Sequence, residues 1–130
     1  MKQKKILIVE DETALRKVLA KKFKIEGFQA ITASNGQIGL NKALKEHPDL
    51  ILLDILLPKM DGAELIEELQ KDDWGRKATI LLLTNVSDPV KMAQLTSQGK
   101  SNIGVFDYMI KSDWNLKEIV DKVRTKLEMA

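Results

Sequence analysis

Ile6-Leu7-Ile8-Val9 is a short aliphatic run with no polar residue inside it, and Glu10-Asp11-Glu12 follows at once. A strand with one wet face alternates apolar and polar residues, whereas a continuous run needs apolar packing on both faces. The pattern returns at Leu50 to Leu53, which ends in Asp54, and at residues 79–83, which end in Thr84. Strands of this kind require helices on both sides of their sheet, and the intervening segments have a helical period. Between residues 13 and 26, Leu15, Val18, Leu19 and Phe23 fall on one stripe, with Lys and Arg elsewhere, and Gly27 offers a left-handed stop.

The rest of the chain continues the alternation. Residues 28–33 read as a second strand, and Ser34-Asn35-Gly36 as a turn and helix start. Leu40, Ala43 and Leu44 keep helical spacing as far as His47-Pro48. Residues 55–62 form a loop. Leu65, Ile66 and Leu69 carry a helix that frays into residues 71–75. Asp88 and Pro89 suit the cap and first residue of a helix with a weak apolar stripe. Residues 105–110 contain a fifth strand ending near Lys111. Leu116, Ile119, Val120, Val123 and Leu127 mark a final helix, for which Asn115 and Glu118 form a capping box. Five strands thus alternate with five helices, and four of the strands read as buried on both faces. The pattern predicts an α/β domain with a five-stranded parallel sheet.

Composition narrows the chemistry. At 130 residues the chain is one domain in length, and a surplus of +2 is no electrostatic footprint for nucleic acid. There is no cysteine, which excludes disulfides, thiolate metal sites and cysteine nucleophiles. His47 is the single histidine, so a His-rich zinc site is excluded and any Ser-His-Asp triad would run through it. The apolar runs are far shorter than the ~20 residues of a spanning helix. The run behind the basic N-terminus is shorter than the roughly 7–15 residues of a secretory segment. The expectation is a cytoplasmic protein with no membrane insertion. No linker, repeat or low-complexity segment interrupts the chain, so residues 1–130 are expected to form one domain without an output domain.

In open parallel sheets, ligands gather outside the carboxyl ends of the strands. Those ends carry Glu10 and Asp11, Asp54, Thr84 and, just past the fifth strand, Lys111. Glu10, Asp11 and Asp54 brought close together would repel. A hard divalent cation relieves this, and Mg²⁺ is commonly held by one or two carboxylates with water and phosphate oxygens; Mn²⁺ is a second candidate. A carboxylate can also act as a nucleophile and form an aspartyl-phosphate. A lysine, a hydroxyl and a metal then stabilise charge on the equatorial oxygens. Taken singly, each position has a plainer reading: Asp11 as a cap, Thr84 as a partner of the backbone, Lys111 as a solvated lysine, Asp61-Gly62 as turn chemistry. Asp54 is the hardest to dismiss, because an Asp between Leu53 and Ile55 is costly without a role. His47 reads as solvated, Trp74 as a loop anchor and Trp114 as packing or as a partner contact.

With these residues in view, the chain resembles the receiver domain of two-component response regulators, the single-domain type similar to the chemotaxis receiver. The matching pieces are Ile6-Leu7-Ile8-Val9-Glu10-Asp11, Asp54-Ile55-Leu56-Leu57-Pro58-Lys59-Met60-Asp61-Gly62, Leu82-Leu83-Thr84 and Asp107-Tyr108-Met109-Ile110-Lys111. The resemblance covers essentially the whole chain. It implies a (βα)5 flavodoxin-like fold with strand order 2-1-3-4-5. It further implies that Asp54 accepts a phosphoryl group from a sensor histidine kinase or phosphotransfer protein. Asp11 would bind Mg²⁺, Glu10 would orient a metal-bound water, and the backbone carbonyl of Leu56 would complete the shell. Thr84 and Lys111 would contact the phosphoryl oxygens. Tyr108 is either an aromatic switch coupled to Thr84 or simple core packing. The output would be a changed surface around the fourth helix, fifth strand and fifth helix, offered to a downstream protein target. Two departures stand out. Ser112 follows Lys111 where the family usually has a cis proline, and a cis bond before a non-proline residue costs about 2.5–4 kcal/mol. The stretch from Thr84 to Lys111 is also a few residues longer than usual, with the surplus expected within residues 97–104.

Other functions fit less well. A haloacid-dehalogenase-type phosphatase would need a second Asp two positions after the nucleophile, where Leu56 stands. A flavin-binding electron carrier would want a Ser, Thr and Gly-rich loop after the first strand, where Glu10-Asp11-Glu12 would repel a phosphate. A receiver-like module that no longer takes phosphate would have no use for the intact acidic set and Lys111. The resemblance also places Leu56 and Val86 beside the path of the water that hydrolyses the aspartyl-phosphate. Neither side chain can hydrogen-bond that water, and in-line attack needs a held nucleophile. Self-dephosphorylation is therefore expected to be slow, and Leu56→Asn to accelerate it. Phosphate release timed from the phosphorylated native chain and from the variant checks this; a fast native chain unaffected by the substitution would refute it.

Overall fold

Alternation of side chains along a strand explains the uninterrupted apolar runs. In β1 (Lys5–Val9), β3 (Leu50–Leu53) and β4 (Ile80–Thr84), odd and even positions serve opposite faces of one sheet. Leu7, Val9, Ile51, Leu53, Ile80 and Leu82 pack on one side. Ile6, Ile8, Leu50, Leu52, Leu81 and Leu83 pack on the other. The structure, a computed structural model, describes residues 3–54, 60, 62–84, 106–110 and 115–127. Two further strands, β2 (Gln29–Ala33) and β5 (Phe106–Ile110), complete a parallel sheet in the order β2-β1-β3-β4-β5.

Helices cover both faces. On one side lie α2 (Gly36–Glu46), through Leu40 and Ala43, and α3 (Gly62–Leu69), through Leu65, Ile66 and Leu69. On the other lie α1 (Thr13–Ile25), through Leu19, Ala20 and Phe23, and the C-terminal helix (Leu116–Lys126), through Ile119, Val120 and Val123. Asn35 caps α2 by accepting the Ile38 N–H at 2.9 Å. Gly27 has a φ of 96°, the left-handed geometry that favours glycine after a helix. Gly39 is required by close approach: a Cβ there would lie 2.9 Å from a methyl of Val9.

Several expectations need correction. Val18 and Leu44, counted on apolar stripes, are 46% and 37% exposed, because each stripe is narrower than its sequence pattern. Of the strands expected to be buried on both faces, β1, β3 and residues 80–83 of β4 are so, apart from Lys5; β2 is an edge strand and mostly half-exposed, and the side chains of β5 lie outside those described. Gln29 and Ala33 turn their backbone groups to β1, so Thr32 between them faces the open edge, where its carbonyl accepts from Lys42 Nζ. The Asn115–Glu118 cap forms by another route: Asn115 Oδ1 accepts the Glu118 N–H, but Glu118 Oε1 accepts from the Asn115 side-chain amide. Residues 75–77 add a short 3-10 turn. The helix expected after Asp88 and Pro89 lies outside the described residues, as does Trp114.

His47 ends α2 in the left-handed region (φ 48°) and its ring stacks on Trp74 at 4.5 Å with the planes 7° apart. Trp74 packs against the α2–α3 side of the core, as its expected anchoring role requires.

Across the opposite face, Arg124 of the C-terminal helix reaches the end of α1. Its Nη2 donates to the Glu26 carboxylate at 3.0 Å and to the Glu26 carbonyl at 3.2 Å, while the guanidinium lies over the Phe28 ring. The Arg124 hydrogen bond, and then Lys22, hold the Glu26 carboxyl below the usual carboxylate range. A carboxyl lowered by folding stabilises the protein above its unfolded-state pKa, and that contribution fades as pH falls through the folded value. Urea unfolding of the native chain and of Glu26→Gln should therefore differ near neutral pH and converge as pH falls below the ordinary glutamate range. The difference should be small and salt-sensitive, as for other exposed ion pairs. A difference that persists unchanged at pH 3 would refute the assignment.

Candidate functional site

The register of β1 and β3 builds the site. Val9 is paired with Leu53, and the Asp54 N–H donates to the Val9 carbonyl at 3.1 Å. The residues that follow, Glu10 and Asp54, therefore emerge side by side at the carboxyl edge of the sheet. On the other flank of β1, the Glu10 N–H donates to the Ala33 carbonyl at 3.0 Å. Both acidic residues are buried, 2% and 6% exposed, whereas Asp11 is open to solvent. Carboxylate oxygens of Glu10, Asp11 and Asp54 all lie within 4.8 Å of one another.

Local bonds shape this acidic corner. Glu10 Oε2 accepts the Glu12 N–H at 3.1 Å, which ties the first carboxylate to the start of α1. Arg16 reaches back from α1 to the Glu10 carbonyl at 2.8 Å. The sequence pattern assigned Arg16 only to the polar side of α1. A cation on the first turns of a helix that directly follows an acidic cluster was the available signal. The start of α2 meets Met60 so closely that a Cβ on Gly36 would fall 1.8 Å from the Met60 carbonyl oxygen.

The structure thus brings together Glu10, Asp11 and Asp54. Thr84 closes β4 opposite Ile110 of β5, and Tyr108 pairs with Leu82, both placed by backbone alone. Lys111, Leu56, Val86 and Ser112 lie outside the described residues. A hard cation of the size of Mg²⁺ gathers its oxygen ligands to within about 4.2 Å of one another. An all-oxygen anionic set of this spacing, free of nitrogen and sulfur, suits such an ion.

The chain matches the response regulator receiver domain over residues 6–124. It belongs to that family. Receivers are the signalling modules of two-component systems, not turnover enzymes of the ordinary kind. This receiver is 40% identical over 129 residues to the transcriptional regulatory protein PcoR of Escherichia coli, a match covering 97% of this chain and 52% of that protein. The chain spans about half the length of the curated relatives it matches. Among solved structures, a CheY-like receiver domain protein from Methanospirillum hungatei superposes with a TM-score of 0.84 at 28% identity, covering 98% of this chain and 95% of that one. The response regulator TrrA of Thermotoga maritima, solved in complex with Mg²⁺ and BeF, superposes with a TM-score of 0.77 at 32% identity, over 95% and 99% of the two chains. Among the described residues of this receiver, no helix is long and apolar enough to cross a membrane.

Mg²⁺ added to the metal-free receiver should raise its melting temperature, since a ligand bound only by the folded state stabilises it. Asp11→Ala should weaken binding by about tenfold or more, as expected for loss of a group that holds or orients the ion. Amide shifts at residues 10–12 and 54 during a Mg²⁺ titration check this; unchanged affinity in the variant would refute the role of Asp11.

Proposed function

We propose that Asp54 is the phosphoacceptor of this receiver. The observation that carries the reading is the convergence of Glu10, Asp11 and Asp54 at the joined ends of β1 and β3. Burial keeps the Asp54 carboxylate away from bulk water, and the hydrogen bond from its own N–H to Val9 fixes its backbone. A carboxylate oxygen of Asp54 attacks the phosphorus of a phosphohistidine on a sensor kinase or phosphotransfer protein. The new bond is O–P, and the P–N bond breaks with its electrons returning to the imidazole. Asp11 and Asp54 would hold Mg²⁺, with the Leu56 carbonyl, and Glu10 would orient a coordinated water. The ion supplies charge neutralisation for the transferred group. Thr84 and Lys111 would donate to the phosphoryl oxygens, the roles their motif positions carry in the family. Mn²⁺ would substitute for Mg²⁺, having the same preference for oxygen ligands.

Phosphorylation adds roughly −1.5 to −2 charges and strong acceptor oxygens. Drawn toward them, Thr84 would shift the packing around Tyr108 and change the surface that the family forms around its fourth helix, fifth strand and fifth helix. A downstream protein would read that surface. The relative TrrA was solved with Mg²⁺ and BeF, which supports the same ligand class here.

Intact mass after incubation with Mg²⁺ and acetyl phosphate tests the proposal. The native chain should gain one phosphoryl group, and neither Asp54→Ala nor the native chain in excess chelator should gain any. A phosphorylated Asp54→Ala would refute it.

A further inference from the structure

Arg16 stands in the early turns of α1, where helical side chains lean toward the N-terminus. Its Nη1 donates to the Glu10 carbonyl at 2.8 Å and lies 3.4 Å from the Asp11 carbonyl. Its Nη2 lies 3.5 Å from Thr13 Oγ1. The first carbonyl satisfied within the helix comes one residue later, where Glu12 accepts the Arg16 N–H at 2.9 Å. Arg16 therefore spans the joint between strand and helix, holding the peptide planes that follow the last ladder bond, which runs from the Glu10 N–H to the Ala33 carbonyl. Those are the planes from which the Glu10 and Asp11 side chains leave the backbone.

A cation beside a cation-binding site has two opposed effects. As a charge it repels Mg²⁺, so its removal would tighten binding. As a clamp it holds the anionic ligands in place, so its removal would weaken binding. The observed partners decide between them. The guanidinium spends its hydrogen bonds on two carbonyls and a hydroxyl, so it orders the backbone without taking up carboxylate oxygens. A charge-assisted bond to a carbonyl is stronger than a neutral one, and the planar fork can address both carbonyls together.

We propose that Arg16 is a positioning residue for the Mg²⁺ site: it locks the backbone at Glu10 and Asp11 and so presents their carboxylates to the ion. This rests on reading the three carboxylates as that site. Without Arg16, the carbonyls of Glu10 and Asp11 would lose this hold, while the Glu12 N–H bond to Glu10 Oε2 would remain.

The test compares the native chain with Arg16→Met, which keeps length and loses every donor, and Arg16→Lys, which keeps the charge and loses the fork. Mg²⁺ affinity is read from amide shifts, and hydrogen exchange at the Glu12 amide is read without metal. Arg16→Met should bind Mg²⁺ about tenfold more weakly, the usual scale for outer partners of metal ligands, and its Glu12 amide should exchange faster. Arg16→Lys should fall between Arg16→Met and the native chain in both. Binding by Arg16→Met as tight as native, or tighter, overturns the proposal and shows that the charge dominates. Should Arg16→Met fail to fold, native affinity in Arg16→Lys overturns it equally. A native chain that shows no response to Mg²⁺ overturns the reading of the carboxylates themselves, and the role of Arg16 with it.

Discussion

A single backbone hydrogen bond, from the Asp54 N–H to the Val9 carbonyl, carries the register of β1 and β3 out to the edge of the sheet. Because the strands are parallel, both end at the same edge, and the first residue beyond each is acidic. The closeness of Glu10 and Asp54 is thus a property of the ladder. A slip of one residue would separate the carboxylates and also send every core side chain of the strand to the wrong face. The apolar runs therefore enforce the geometry of the polar site.

That enforcement has a cost. Carboxylates whose oxygens lie within 4.8 Å of one another repel when ionised. Domains of this kind are stable by only about 5–15 kcal/mol in total. The central strands offset the repulsion by burying aliphatic side chains on both faces, and two arms brace the acidic corner. Glu12 donates its N–H to Glu10, and Arg16 holds the Glu10 carbonyl. The corner concentrates acidic groups in a well-packed frame, which suits it to gain from a cation.

Continuous runs such as Ile6 to Val9 announce a doubly covered strand without help from neighbours, so the sheet and its acidic edge could be read directly from the sequence. Asp54 stood out for the same reason, as a charge set against two aliphatic residues. What could not be read depends on tertiary shape. Val18 and Leu44 obey helical spacing, yet the neighbouring elements do not extend over them. β2, with Gln29 and Thr32 in it, is less apolar than β1, β3 and β4, yet its place at the edge follows from chain order in space. Arg16 was concealed by its type: an arginine on a basic helix looks like solvation until the direction of its side chain is known. The stacking of His47 on Trp74 joins residues far apart in sequence, and no local pattern foretells it.

The sheet also acts as a partition. Its alternating side chains divide the interior into two compartments that share backbone and hardly any side-chain contact: one beneath α2 and α3, the other beneath α1 and the C-terminal helix. A repacked residue such as Phe23 disturbs one compartment and leaves the companion's jigsaw intact. A change of volume on one face can therefore be absorbed there without repacking the other. The acidic corner belongs to neither compartment alone: Glu10 and Asp54 follow strands whose side chains line both.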